Sequence, residues 1–259
     1  MAATIIPYFS LPANYPDLRV GYTFGSDDVS GTTLYDKSKN GLNGLLVNTP
    51  NFANTVVGRN MTLTAGSSQR VTIADNDNLS FATADGGAFS AVMVVKRIRS
   101  GNTPEPMLAK YPNIGNQEYI MGLLNNTMYF WCLDSTAGGY IGRVTAAGAW
   151  NDLSTYHILY FIKTAGTTSA SLSIWSDNTQ IDAGNFASAA YTQMRNNAAD
   201  AYLGYCAGGL GVGAYSSLEY QSAWLIGHAL TATERVNLKE QFAASLARGK
   251  TIYPTKMTI

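Results

Sequence analysis

The segment Ser169–Trp175 (SASLSIW) alternates strictly, with Ala170, Leu172 and Ile174 on one face and Ser169, Ser171 and Ser173 on the other. A period of two marks a half-buried antiparallel strand. Tyr156–Ile162 (YHILYFI) is apolar on both faces, which predicts a strand covered from both sides. Phe89–Lys96 (FSAVMVVK) and Thr127–Leu133 (TMYFWCL) are rich in β-branched and aromatic residues, and Gly, Asn, Asp and Pro punctuate the stretches between such segments. Short strands separated by turn signals, with almost no helical periodicity, predict an all-β sandwich or barrel.

One helix is predicted. Thr231-Ala232-Thr233-Glu234 is a capping box, in which the threonine hydroxyl and the glutamate carboxylate each satisfy an orphan backbone N–H. Val236, Leu238, Phe242 and Leu246 follow at roughly helical spacing over Arg235–Ala247, and Gly249 and Pro254 are the stop signals. The two ends read as extended arms, 1–16 and 248–259, around a domain spanning 17–247. The first carries Ile5, Ile6, Tyr8, Phe9, Leu11 and Tyr15 among Pro7, Pro12 and Pro16; the second carries Ile252, Tyr253, Met257 and Ile259. Exposed apolar segments are a liability on an isolated monomer. Ile5, Ile6, Tyr8, Phe9, Leu11, Ile252 and Tyr253 are therefore expected to dock on another protein or a second copy, with folding back onto the domain as the alternative.

Composition narrows the functions. The chain has 259 residues, with 17 Lys+Arg against 17 Asp+Glu, so it lacks the basic excess that nucleic-acid binding calls for. Only 13% of residues are charged while 46% are hydrophobic, which excludes disorder, and no apolar run approaches a bilayer span. Neither nucleic acid nor membrane is an expected partner. Met1–Pro7 lacks a basic region followed by an apolar stretch, so no secretion signal of that kind is expected. Two cysteines, Cys132 and Cys206, are too few for a disulfide framework. They are either a single bridge or two buried thiols.

Val20-Gly21-Tyr22-Thr23-Phe24 is followed by the turn Ser30-Gly31-Thr32-Thr33-Leu34-Tyr35-Asp36-Lys37-Ser38-Lys39-Asn40-Gly41-Leu42-Asn43-Gly44. This resembles the opening of the laminin-G-like, concanavalin A-like jelly-roll family. Val71–Asp75, Met107–Lys110, Glu118–Leu123, Trp150 with His157, Tyr202–Gly204 and Trp224–Glu234 resemble later pieces of that pattern in order, over about residues 17–247. The resemblance implies two antiparallel sheets packed face to face as a jelly-roll sandwich, with one short C-terminal helix. It implies no single activity, because the fold hosts lectins, glycanases, adhesion modules and virion proteins.

Retaining glycanases of this fold need two carboxylates about 5–5.5 Å apart, carried on an E-x-D-x-E strand. None of Glu105, Glu118, Glu219, Glu234 and Glu240 has an acidic neighbour at that spacing, so the chain is read as non-enzymatic. His157 and His228 read as core or boundary histidines satisfied by hydrogen bonds. The glycines at 208, 209, 211 and 213 lack the strand–turn–helix setting of a phosphate cradle. No cofactor is required, although many relatives of this fold hold calcium with loop oxygens. Asp27, Asp28, Asp36 and Asn40 are the candidate ligands here, with turn formation as the alternative. Trp131, Tyr140, Trp175 and Tyr215 are candidates for stacking on sugar rings, with core filling as the alternative. Together these features point to a structural or adhesion protein at the surface of a bacteriophage virion, a capsid decoration or fibre component. The alternatives are an extracellular carbohydrate-binding module and an inactive glycanase-like domain.

Overall fold

The structure, a computed structural model, describes residues 11–12, 14–55, 58–81, 87–101, 103–111, 118–134, 139–187, 191–207 and 214–252, without the side chains of 26, 55, 246 and 248–252. The chain begins with β1 (Leu18–Thr23), β2 (Val29–Ser30), β3 (Thr33–Leu34), β4 (Gly44–Val47), β5 (Asn51–Thr55), β6 (Gly58–Leu63) and β7 (Arg70–Ile73). Longer strands follow: β8 (Phe89–Arg97), β9 (Glu105–Lys110), β10 (Tyr119–Leu124), β11 (Thr127–Leu133), β12 (Tyr140–Thr145) and β13 (His157–Lys163). Then come β14 (Leu172–Ser176), β15 (Thr179–Gln180), β16 (Asp182–Ala187), β17 (Ala201–Leu203), β18 (Tyr205–Cys206), β19 (Ala214–Tyr215) and β20 (Leu218–Ile226), and finally α1 (Ala232–Ile252).

Among the described residues the first sheet runs β15-β14-β13-β8-β20-β6-β5, with β1 also on β20, and the second runs β16-β12-β11-β10-β9-β17-β7-β4-β3-β2. Neighbouring strands are antiparallel, as the alternation predicts. This is the expected all-β sandwich with a C-terminal helix. Its core lies between the sheets, where Phe130 of the second meets Phe89 and Phe161 of the first edge-on, each at 5.8 Å.

The opposite face of the first sheet is also buried. Val92, Val94, Ile158, Tyr160, Ile162 and Trp224 pack under Leu238 and Phe242 of α1. That covers β13 on both sides, which is why the Tyr156–Ile162 segment alternates so weakly. Burial of a large apolar side chain contributes roughly 1.5–3 kcal/mol, enough for two such anchors to hold a helix on a sheet. Both arms of the capping box form: Thr231 N–H donates to Glu234 Oε2 at 2.8 Å, and Glu234 N–H donates to Thr231 Oγ1 at 3.2 Å.

Three details differ from the sequence reading. The helix continues through Gly249 to Ile252, so 248–252 are helical rather than an extended arm. An interior glycine costs only about 1 kcal/mol, and the helix ends two residues short of Pro254, whose ring disfavours helix just before it. The buried stripe is Arg235, Leu238, Phe242 and Ser245, leaving Val236 39% exposed. Ser169–Ser171 form a single 3-10 turn before β14, with Ser171 Oγ donating to Thr168 O at 2.7 Å.

Of the arm residues, Leu11 is 2% exposed and packs with Leu18, Leu238 and Phe242, and Tyr15 lies against the same cluster. Leu11 and Tyr15 thus sit on the domain's own helical side. Ile5, Ile6, Tyr8, Phe9, Tyr253, Met257 and Ile259 lie outside the described residues, as does the side chain of Ile252. No disulfide joins Cys132 and Cys206, which are buried on opposite faces of the second sheet, the first in the inter-sheet core and the second in the outer cluster. Among the described residues no helix is long and apolar enough to cross a membrane.

Candidate functional site

The turn that carries the family resemblance is a clasp. Asp36 accepts from Gly21 N–H at 2.9 Å, Ser38 N–H at 2.8 Å, Ser38 Oγ at 2.6 Å and Leu42 N–H at 2.8 Å. Asn40 Nδ2 donates to Arg19 O at 2.7 Å, fastening the loop to β1. Asp28 is ion-paired with Lys37 and accepts from Thr23 Oγ1 and Gly25 N–H, while Asp27 lies on the exposed side of the turn. The candidate calcium ligands Asp28, Asp36 and Asn40 are thus engaged with donors and carbonyls of the turn and of β1. Among the described residues no group of three or more His, Cys, Asp or Glu side chains is arranged to hold a metal ion.

Glutamates and histidines serve the scaffold in the same way. Glu105 pairs with Arg97 at 3.0 Å, Glu118 with Lys110 at 2.9 Å and Glu219 with Lys96 at 2.9 Å, and Glu234 caps α1. His157 Nδ1 lies 2.6 Å from Asp177 and its Nε2 3.4 Å from Asp152, and His228 Nε2 lies 2.9 Å from Glu234. Each is a boundary histidine held by carboxylates.

The outer face of the second sheet is different. Cross-strand pairing aligns Thr33, Leu45, Thr72, Tyr202, Ala109, Ile120, Trp131, Gly142 and Phe186 in one row from β3 to β16. Residues directly opposite in register share a face, and Trp131 sits between the core-facing Phe130 and Cys132, so this row faces outward. Its middle, Ala109 and Ile120, is buried with Tyr111, Tyr129 and Cys206. Aromatic clusters lie on either side, about 14 Å apart by strand spacing from β17 to β11.

The first cluster centres on Phe186, with Trp131 edge-on at 5.2 Å and Tyr140 tilted at 5.9 Å. Tyr140 is 39% exposed, and the indole N–H of Trp131 is buried without an acceptor. Gly142 makes this arrangement possible: a Cβ there would fall within 3.0 Å of three carbons of the Phe186 ring. Gly142→Ala is therefore expected to push the ring off its seat at a cost of about 1–3 kcal/mol. A shift in Trp131 fluorescence and a lowered urea midpoint would report it; an unchanged spectrum and midpoint would contradict the packing.

The second cluster gathers Tyr202, Tyr205 and Tyr215 around Arg70. Tyr205 lies 5.1 Å from Tyr202 and 4.7 Å from Tyr215, and the Arg70 guanidinium sits 4.9 Å from the Tyr205 ring centre. Burial pushes the Tyr202 and Tyr205 hydroxyls above the ordinary tyrosine range.

The four sugar-stacking candidates do not form one groove. Trp131 and Tyr140 share the first cluster and Tyr215 belongs to the second. Trp175 lies on the first sheet, under the guanidinium of Arg235 at 3.8 Å from its ring centre. Phe186, Arg70, Tyr202 and Tyr205 were not singled out in the sequence, and the register row is what brings them together with the others.

The antiparallel sandwich thus carries aromatic side chains on the outer face of its second sheet. Solved structures share the fold. The binding domain of Paraclostridial Mosquitocidal Protein 1 matches at a TM-score of 0.63 and 9% identity, covering 88% of this chain and 52% of that one. The binding domain of botulinum neurotoxin DC matches at 0.59 and 10% identity in its complex with rat synaptotagmin II, covering 87% of this chain and 52% of that one. In its complex with SialylT it matches at 0.57 and 9% identity, with the same coverage. The chain thus spans about half the length of the solved structures it matches. No known protein family and no curated protein matches the sequence.

Proposed function

We propose that this chain is a non-catalytic recognition domain that binds glycans on the outer face of its second sheet. The observation that carries the reading is the register row, which sets aromatic side chains on one face at two places about 14 Å apart. Sugar rings stack on aromatic faces while polar groups read their hydroxyls. The likeness to toxin binding domains solved with a glycan and with a protein receptor supports a binding role. So does the resemblance of the opening turn to the laminin-G-like, concanavalin A-like family. The narrower expectation of a virion component draws on composition and on the apolar arms 1–16 and 248–259, of which the described residues Leu11 and Tyr15 pack on the domain itself.

Tyr140→Ala is the cleanest test, because Tyr140 is partly exposed and its loss leaves the core intact. The variant is expected to lose about tenfold in affinity for whichever printed glycan the full chain binds best, equivalent to about 1.4 kcal/mol, with an unchanged thermal midpoint. A full chain that binds no glycan on a broad array, or a variant that binds as well as the parent, overturns the proposal.

A further inference from the structure

Resting on the glycan reading above, we infer that Arg70 and its tyrosines form an acceptor for the carboxylate of an acidic sugar. Among the described residues Arg70 forms no ion pair, and its one hydrogen bond runs from Nη1 to Tyr215 Oη at 3.2 Å. Three other arginines outside ion pairs each donate to a carbonyl or amide oxygen, Arg59 to Gly25 O, Arg235 to Leu230 O and Arg19 to Asn78 Oδ1, whereas the one bond of Arg70 goes to a tyrosine hydroxyl. Nε of Arg70 is buried without a partner, whereas Nη2 also lacks a partner and reaches solvent. The nearby carboxylate of Asp200 acts on Tyr202 and accepts the backbone N–H of Asp75.

A guanidinium held against the Tyr205 ring is fixed in orientation before any ligand arrives. The Nη1 and Nη2 edge then offers two parallel donors, which match a planar carboxylate. Half-buried tyrosine rings beside it supply stacking area for the sugar body. A neutral sugar uses only the stacking; an acidic sugar uses both.

The test is an array of glycans in matched neutral, carboxylated and sulfated forms, read with the full chain. Carboxylated members are expected to be retained about tenfold more strongly than their neutral partners, with the advantage shrinking as salt rises. Arg70→Gln is expected to erase that advantage while leaving neutral glycans bound as before. Should that variant fold poorly, Tyr215→Phe removes only the hydroxyl that holds Nη1 and is expected to lower the carboxylate preference about threefold. A preference that survives Arg70→Gln, neutral and carboxylated members bound alike, or retention of sulfated members alone each overturns the inference and leaves glycan binding standing. Binding of no glycan at all removes the wider reading instead.

Discussion

Replacing Arg97 with methionine is expected to destabilise the domain by about 3–5 kcal/mol, the largest single effect foreseen for this chain. Arg97 is 2% exposed and donates to Glu105 Oε2 at 3.0 Å, Trp150 O at 3.3 Å, Gly101 O at 2.8 Å and Asn126 Oδ1 at 2.8 Å. Glu105 is fully buried, and burial already raises its pKa above the usual carboxylate range against the pull of Arg97 and Arg99. Methionine leaves that carboxylate with Arg99, 3.2 Å from the other oxygen, and the Ser217 backbone N–H, and takes a donor away from two carbonyls and an amide oxygen. Marginal stability of about 5–15 kcal/mol makes such a loss visible as a fall in the urea midpoint. Converting both residues, Arg97→Met with Glu105→Met, is expected to recover part of the loss because the buried carboxylate is then gone as well. A single variant within 1 kcal/mol of the parent would contradict this account.

Stability is also expected to peak near pH 5 and to decline toward pH 8. Glu118 is fully buried beside Lys110, and burial pushes its pKa up to about 7. The folded chain therefore binds a proton that the unfolded chain, titrating near 4.5, has already lost. Stability present below about 4.5 is lost as pH rises through 7, by about 3 kcal/mol. His157 has the same sign. Its hydrogen bond to Asp177 raises its pKa above 6.5, so its contribution is complete below 6.5 and fades as pH climbs through the raised value. Asp28 and Asp177 oppose both at the acid end. Burial acts against them, but hydrogen bonds hold their carboxyls below the ordinary value, and that stability is lost under about pH 4. Glu118→Gln is expected to raise stability at pH 8 and flatten the profile between 5 and 7, measured as urea midpoints. A flat parent profile, or a variant that keeps the full slope, would refute the assignment.

The sandwich was legible because its long strands report their surroundings directly. Thr127–Leu133 coincides with β11, and the two-sided apolar run at Tyr156–Ile162 falls one residue before β13 and is covered on both faces. Thr231 and Glu234 marked the helix start through local chemistry alone. The helix end was misread because Gly249 acts as a stop only in a left-handed conformation, which no local pattern guarantees. Asp36 and Asn40 could be recognised as turn residues or as ligands with equal ease; only the donors around them decide which contacts they make. The aromatic face was half visible. Trp131 stood out by type, while Phe186 and Arg70 reached it through registers with β12 and with β4 and β17, pairings between segments far apart in sequence. Alternation in Arg70-Val71-Thr72-Ile73 does carry the outward direction of Arg70, but not what it meets there.

Strand β20 runs the length of the first sheet with β8 on one side, while Leu218–Tyr220 join β6 and Ser222–Ile226 join β1 on the other. Residues 18–23 therefore find their partner only about two hundred positions later. Such distant pairing raises contact order and slows folding, since loop entropy is lost before contacts repay it. On the ribosome, β1 and β8 wait with unsatisfied edges until β20 has emerged, and nascent chains depend on whatever shields those edges meanwhile.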